Sequence, residues 1–299
     1  MLVSAACFGM TGAVTRRGVL YAPAFAGNLV SIYVSLPLLV VVALGTGQLL
    51  SPELLTLKAY LSLLCIGVLN YCVGRWANFR SVEYIGANRS SPIRGTAPIF
   101  AATLGLGFLG ETLTVSETIG VALLIGAPFL VLLGGRQRLA QRGDLIPDRQ
   151  AKMARRIVVI GAAFAFISAG AYGSSQFLIR MVVGDTGMPT MAALVTNIGA
   201  CTFLLGLMSR GAQRREITGI DRTGLRWFVA SGVFVTGAVI FRFAALERMP
   251  VTMVSALNET SVFFGLLFNY IINRQVEAWG PAVFAAIGIS VIGTLAITL

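Results

Sequence analysis

The 299-residue chain has no histidine, only 12 acidic residues, four cysteines, and charged side chains at 12% of positions. Without histidine there is no imidazole base, no His-ligated metal and no His proton relay within the chain. The cysteines, at 7, 65, 72 and 201, lie in apolar runs and none forms a C-x-x-C pair. Neither a zinc site nor a disulfide framework is expected, and no cofactor. An average soluble domain carries roughly 25% charged residues. This chain carries far fewer, many of them gathered in two short stretches, and cannot clothe a water-facing surface. An ordinary soluble fold is excluded.

What is abundant is apolar sequence: 56% of residues, with a mean hydropathy of +0.83. A helix crossing a bilayer needs about 20 mostly apolar residues. Windows of that length fall at 2–18, 24–46, 58–80, 87–109, 114–134, 157–180, 188–209, 226–246, 250–272 and 279–299. The first is short and soon reaches Arg16-Arg17. The longest polar stretch, Gly134 to Arg156, holds seven basic and two acidic residues and divides the spans five and five. A second, Arg210 to Arg226, holds five basic residues. Ten spans put both stretches on one side, and the positive-inside rule makes that side the cytoplasm, with both termini outside. The net charge of +11 then reads as a topology signal and as contact with anionic lipids. Nucleic-acid binding is not expected, because the basic residues sit in short loops without interleaved aromatics.

The halves resemble each other at one displacement, 164 residues. Ser4-Ala5-x-x-Phe8-Gly9 with Arg16 matches Ser168-Ala169-x-x-Tyr172-Gly173 with Arg180, and Phe79, Glu83 and Ser91 match Phe243, Glu247 and Ser255. Five spans per half is an odd number, so equivalent helices cross in opposite directions. The expected fold is an all-α polytopic membrane protein of ten transmembrane helices in two inverted five-helix repeats. Residues 1–134 form the first repeat, 135–156 a basic connector, and 157–299 the second. Inverted repeats set a site near the bilayer midplane and open it alternately to either side.

The segment Gly86 to Leu133, with its Pro98-centred helix, its Gly110-Glu111 end and Gly120 nine residues after the glutamate, resembles the fourth and fifth helices of an EamA-type repeat. The second copy, Pro250 to Leu299, is looser, with Arg274-Gln275 where the Gly-Glu end would fall. The resemblance is to the drug/metabolite transporter superfamily. It implies helices 1–4 and 6–9 around a central cavity, helices 5 and 10 at the periphery, and a transporter of unspecified substrate.

Ionisable side chains inside spans are costly and face a cavity or a partner. Arg75, Arg89, Arg94, Arg242 and Glu259 are the ones present. Arg94, two turns into its span, is either a contact for an anionic substrate or a structural donor to carbonyls. Arg75 and Arg242 carry the same two readings. Arg89, near a span entrance, is a snorkelling arginine or part of a gate. Glu259 lies nine residues after Pro250, about 13 Å along a helix. A carboxyl at that depth stays neutral unless Arg242 or Arg94 pairs with it. It is a proton-coupling acid, half of a gate, or a fixed ion pair. At the 164-residue displacement Arg94 aligns with Asn258, and Asn78 with Arg242. Asn70, Tyr71, Trp76 and Asn28 complete the candidate substrate contacts, though Asn28 also suits an interhelical hydrogen bond.

The expected activity is secondary transport of a small polar metabolite, an amino acid or other carboxylate-bearing solute, across the plasma (inner) membrane, as an exporter. The chain would work as a monomer or homodimer, with protons as a possible coupling ion. Efflux of cationic compounds is the alternative. It resembles the small multidrug resistance branch, whose first-helix acid is missing here: residues 1–52 hold no Asp or Glu. A non-transporting receptor or assembly subunit is the reading from another class. An enzyme is not expected, since no span holds an aspartate or a G-x-S-x-G.

Overall fold

The structure, a computed structural model, describes residues 1–50, 55–109, 115–116, 118–120, 122–123, 148–208, 220–249, 251, 254, 257–258, 260–276 and 281–298. Glu259, most of the fifth expected span with its Gly110-Glu111 end, and the basic stretches 135–147 and 209–219 lie outside the described residues. The helices are α1 (Leu2–Gly18), α2 (Ala24–Gly45), α3 (Leu57–Ile85), α4 (Ala87–Arg94), α5 (Ala97–Leu109), α6 (Asp148–Thr186), α7 (Pro189–Met208), α8 (Arg222–Arg248), α9 (Ser261–Asn273) and α10 (Pro281–Thr298). Among the described residues, five helices are long and apolar enough to cross a membrane: Ala24–Gly45, Leu57–Ile85, Arg155–Thr186, Pro189–Leu207 and Arg222–Arg248. Large apolar side chains on their outer faces, such as Val41, Leu61, Phe241 and Leu205, are exposed. That is the pattern of a surface solvated by lipid rather than water. The protein is an all-helical, multi-pass membrane protein.

Two expected spans are not single helices. The fourth breaks at Gly95-Thr96, because Pro98 has no N–H to return to the Arg94 carbonyl. The ninth turns at Thr260. Thr96 and Thr260 stand 164 apart, and each turns its hydroxyl back to the carbonyl three residues earlier, Ile93 at 2.8 Å and Leu257 at 2.7 Å. The sixth span also differs from expectation: α6 begins at Asp148, inside the basic stretch. A third irregularity is the π-helical segment Val68–Arg75 in the middle of α3. Wide turns of this kind leave carbonyls poorly matched and are frequent at functional sites. Asn28 answers one of them, donating Nδ2–H to the Tyr71 carbonyl at 3.2 Å. The equivalent stretch of α8 is ordinary α-helix.

Helix α7 is uncharged and the most deeply buried of the five long apolar helices, with Phe203 and Leu205 near its end facing outward. Ala192, Ala193, Leu194, Val195, Ala200 and Leu204 are all buried there. Its N-terminal amides are met from outside the helix, where Gln48 Oε1 accepts from Thr190 N at 2.9 Å and Met191 N at 3.1 Å. Around it the halves exchange partners. Helix α1 packs on α8 and α9, and α6 packs on α3 and α5. The close approaches are made by glycine. A Cβ on Gly9 would sit 2.6 Å from Gly265 N, and one on Gly173, 164 residues on, would strike the Ala97 carbonyl and lie 3.1 Å from Ala101 N.

Two arginines latch helix ends in the same related fashion. Arg16 donates from Nη1 to the Val82 carbonyl at 3.3 Å, and Arg180 donates from Nη1 to the Leu246 and Glu247 carbonyls at 2.7 and 2.8 Å. The last four carbonyls of a helix lack internal donors, and a cation there also meets the negative end of the helix dipole. Removing the second latch with Arg180→Ala is expected to destabilise the protein by about 2–4 kcal/mol, the loss of two charge-assisted hydrogen bonds. Denaturant unfolding in detergent measures it. A loss below about 0.5 kcal/mol would mean that water replaces the guanidinium.

Candidate functional site

A cavity lies inside the bundle where α1, α3, α4, α6 and α8 meet the two helix breaks. Its lining includes Phe8, Arg75, Asn78, Phe79, Arg94, Tyr172, Gln176, Arg242, Asn258 and Ser261. Five pairs of lining residues stand 164 apart: Phe8 and Tyr172, Gly12 and Gln176, Asn78 and Arg242, Arg94 and Asn258, Ala97 and Ser261. The cavity volume is about 40 Å³. At roughly 10–15 Å³ per water, three or so waters fit.

The breaks and the π segment aim the polar groups. Arg94 is the last residue of α4 and projects from the break, donating Nη1–H to Asn78 Oδ1 at 3.1 Å. Arg75 closes the π segment, 2% exposed, and none of its three guanidinium nitrogens has a hydrogen-bond partner among the described residues. Arg242, on α8, is 3% exposed, with Nε likewise unmatched. Aromatic faces carry part of the charge. Phe79 lies 5.7 Å from the Arg75 cation, and Phe8 lies 5.1 Å from that of Arg242. Such contacts return about 0.5–2 kcal/mol. A buried, unpaired ion costs several. The Tyr172 hydroxyl is within electrostatic reach of all three arginines. The described lining holds no carboxylate.

Of the residues singled out from sequence, the cavity gathers Arg75, Arg94, Arg242 and Asn258. Asn28 and Trp76 instead line a second, more open cavity of about 300 Å³ with Phe25, Cys72, Arg80, Leu204 and Leu207. Trp76 packs edge-on against Phe164 there, with centroids 5.4 Å apart. Tyr71 is buried in the main apolar core and, like Tyr172, lies within electrostatic reach of Arg75 and Arg242. Asn70 is buried with Nδ2 unmatched and lines neither cavity. Arg89 is half-buried on α4, away from the arginine cavity. Glu83 and Glu247, both at helix ends, lie 2.8 Å from Arg80 and 3.9 Å from Arg248. Sequence reasoning did not select Tyr172, Gln176, Asn78 or Phe8 as site residues. The signal was available: Phe8 and Tyr172 are a repeat match, and Gln176 follows Tyr172 by one helical turn on the same face.

Family comparison covers nearly the whole chain, since the model of the EamA-like transporter family matches residues 1–133 and again 159–299. The chain belongs to the EamA-like transporter family. No curated protein matches this EamA-like transporter significantly. A solved structure titled "Crystal structure of protein" shares its fold at a TM-score of 0.66 and 14% identity, covering 99% of this chain and 96% of that one.

Proposed function

We propose that this EamA-like transporter is a secondary transporter that exports a small carboxylate-bearing metabolite across the plasma membrane by alternating access. The observation that carries the reading is the buried Arg75 guanidinium, with none of its nitrogens matched, sharing one cavity with the equally buried Arg242, whose Nε is unmatched, and with Arg94. A carboxylate entering there trades its own hydration for charge-assisted hydrogen bonds to donors that otherwise have none. Ten helices in two inverted repeats, 1–134 and 157–299 about a basic connector, are the architecture we assign. It is supported by the displacement of 164 residues recurring in the cavity pairs, the two threonine turns, the glycine crossings and the arginine latches. In that architecture the latches guard opposite membrane faces. The basic connector faces the cytoplasm and its anionic lipids, both termini face outward, and the working unit is a monomer or homodimer.

Cationic-compound efflux is disfavoured, because three guanidiniums would repel the cargo. Counterflow of labelled amino and organic acids in proteoliposomes tests the proposal. Accumulation of a carboxylate supports it. Accumulation of a quaternary ammonium ion instead, or of no solute by a folded protein, overturns it in favour of the efflux or receptor reading. Arg94→Ala is expected to lower carboxylate counterflow about 100-fold or more while the protein still inserts, as when one partner of a buried charge pair is lost. Unchanged kinetics would remove Arg94 from the site. Glu259 is the proposed coupling acid or gate, with Arg89 as a second gate candidate. Glu259→Gln is expected to flatten the pH–rate profile. A profile that overlays the wild type would end proton coupling through this residue.

A further inference from the structure

The charge balance of the cavity says more about the cargo, on the premise that the cavity is the transport site. We infer that the cargo is a small dianion, a dicarboxylate or a phosphate monoester, rather than a zwitterionic amino acid. Three arginines, the side chains best suited to bidentate recognition of carboxylate and phosphate, line one small void. Two of them are almost completely buried and keep unmatched donors. Every other described lining residue is neutral. The acid closest in sequence, Glu259, lies outside the described residues. A single ionised carboxylate set against three guanidiniums would still leave two positive charges uncompensated.

A zwitterion does not correct this balance. Its carboxylate would be held, but its ammonium would enter a void with a net positive field and no described carboxylate. Two of the three aromatic rings in the lining already face a cation, and the third, Tyr172, lies in the field of all three arginines. Phe8 faces the Arg242 cation at 5.1 Å and Phe79 the Arg75 cation at 5.7 Å. A monoanion leaves one of the two buried guanidiniums unpaired, the costliest arrangement for an ion out of water. A dianion meets both. Arg75 comes from the π segment of α3 and Arg242 from α8, so the two charges are delivered from different halves of the chain. Arg94 is already tied to Asn78 and supplies the third contact.

The test is binding to the full-length protein in detergent at fixed ionic strength, with four probes: succinate, glycerol phosphate, the monomethyl ester of succinate, and leucine. At least one of the two dianions is expected to bind about 30-fold or more tightly than the monoester, the loss that follows when one partner of a buried charge pair is missing. Which dianion binds separates the dicarboxylate from the phosphate source. Leucine is expected to produce no saturable signal. Arg75→Gln removes one charge and is expected to shrink the dianion-over-monoester preference to about threefold or less while monoester binding persists. Equal binding of dianion and monoester by the wild type, tight binding of leucine, or no binding of either dianion overturns the inference. If the variant does not fold, the wild-type ratio alone decides. Counterflow keeps the two proposals apart. Dianion binding without flux refutes transport but not the charge class, and flux of monocarboxylates with no charge preference refutes the charge class but not transport.

Discussion

Arg75→Met is expected to abolish transport and at the same time raise the stability of the empty protein by about 1–3 kcal/mol. The two effects have one cause. The Arg75 guanidinium is 2% exposed and none of its nitrogens is matched among the described residues. An ion held this way costs several kcal/mol after relaxation. The Phe79 face, 5.7 Å away, returns at most about 2. Methionine fills similar volume, carries no charge and adapts to irregular gaps. The empty protein is therefore relieved, while the cargo loses its partner. Thermal unfolding in detergent and counterflow, run on the same preparation, read both effects. A variant that melts lower than the wild type would show that Arg75 is a structural group with a stabilising partner, and its role toward an anion would fall with it. The opposition is the usual one between a strained binding site and a stable fold.

Gly67→Ala is expected to cost about 3 kcal/mol or more and to leave little folded protein after extraction. Gly67 sits in α3 where it crosses α7, and an added Cβ would strike the backbone carbonyl of Thr196. From the other side, a Cβ on Gly199 would lie 2.5 Å from the Leu64 carbonyl oxygen and 2.7 Å from Leu64 Cα. Both obstacles are backbone, which cannot rotate away as a side chain can. The helices must separate, and separation opens the interior around α7. Gly107→Ala supplies the contrast. A Cβ there meets nothing within 4 Å, so the helix gains alanine's better propensity and stability changes by about 1 kcal/mol or less, in the favourable direction. Similar melting temperatures for the two variants would show that the crossing of α3 and α7 is looser than its geometry indicates. Small residues at helix crossings are what bilayer packing favours, since apolar surface alone gives little preference for protein over lipid.

The membrane character of the chain, its helical class and its family were all legible from one-dimensional information. Hydropathy reports transfer from water residue by residue and needs no neighbours, which is why the expected second span, 24–46, and the observed helix Ala24–Gly45 differ by one residue. The repeat displacement was legible too, because equivalent positions keep their chemistry: Arg16 with Arg180, Phe8 with Tyr172. Arg75, Arg94, Arg242 and Asn258 could be selected because a charge or amide within a span is conspicuous against an apolar background.

Only the tertiary structure decided which of the conspicuous residues meet. Trp76 follows Arg75 directly, yet the two line different cavities, since neighbours on a helix point about 100° apart and the π segment changes the register again. Asn28, which the sequence left as a cargo contact or an interhelical hydrogen bond, donates its amide to the Tyr71 carbonyl in the π segment and also lines the second cavity. The breaks at Gly95-Thr96 and Thr260 turned expected rods into bent ones and put Arg94 at a helix end rather than two turns inside. Sequence thus determined what each segment prefers as a solvent, because burial free energy is nearly additive along the chain. The meeting of three arginines without a described acid depends on helix rotation and on backbone irregularity, and those are set by packing between segments far apart in sequence.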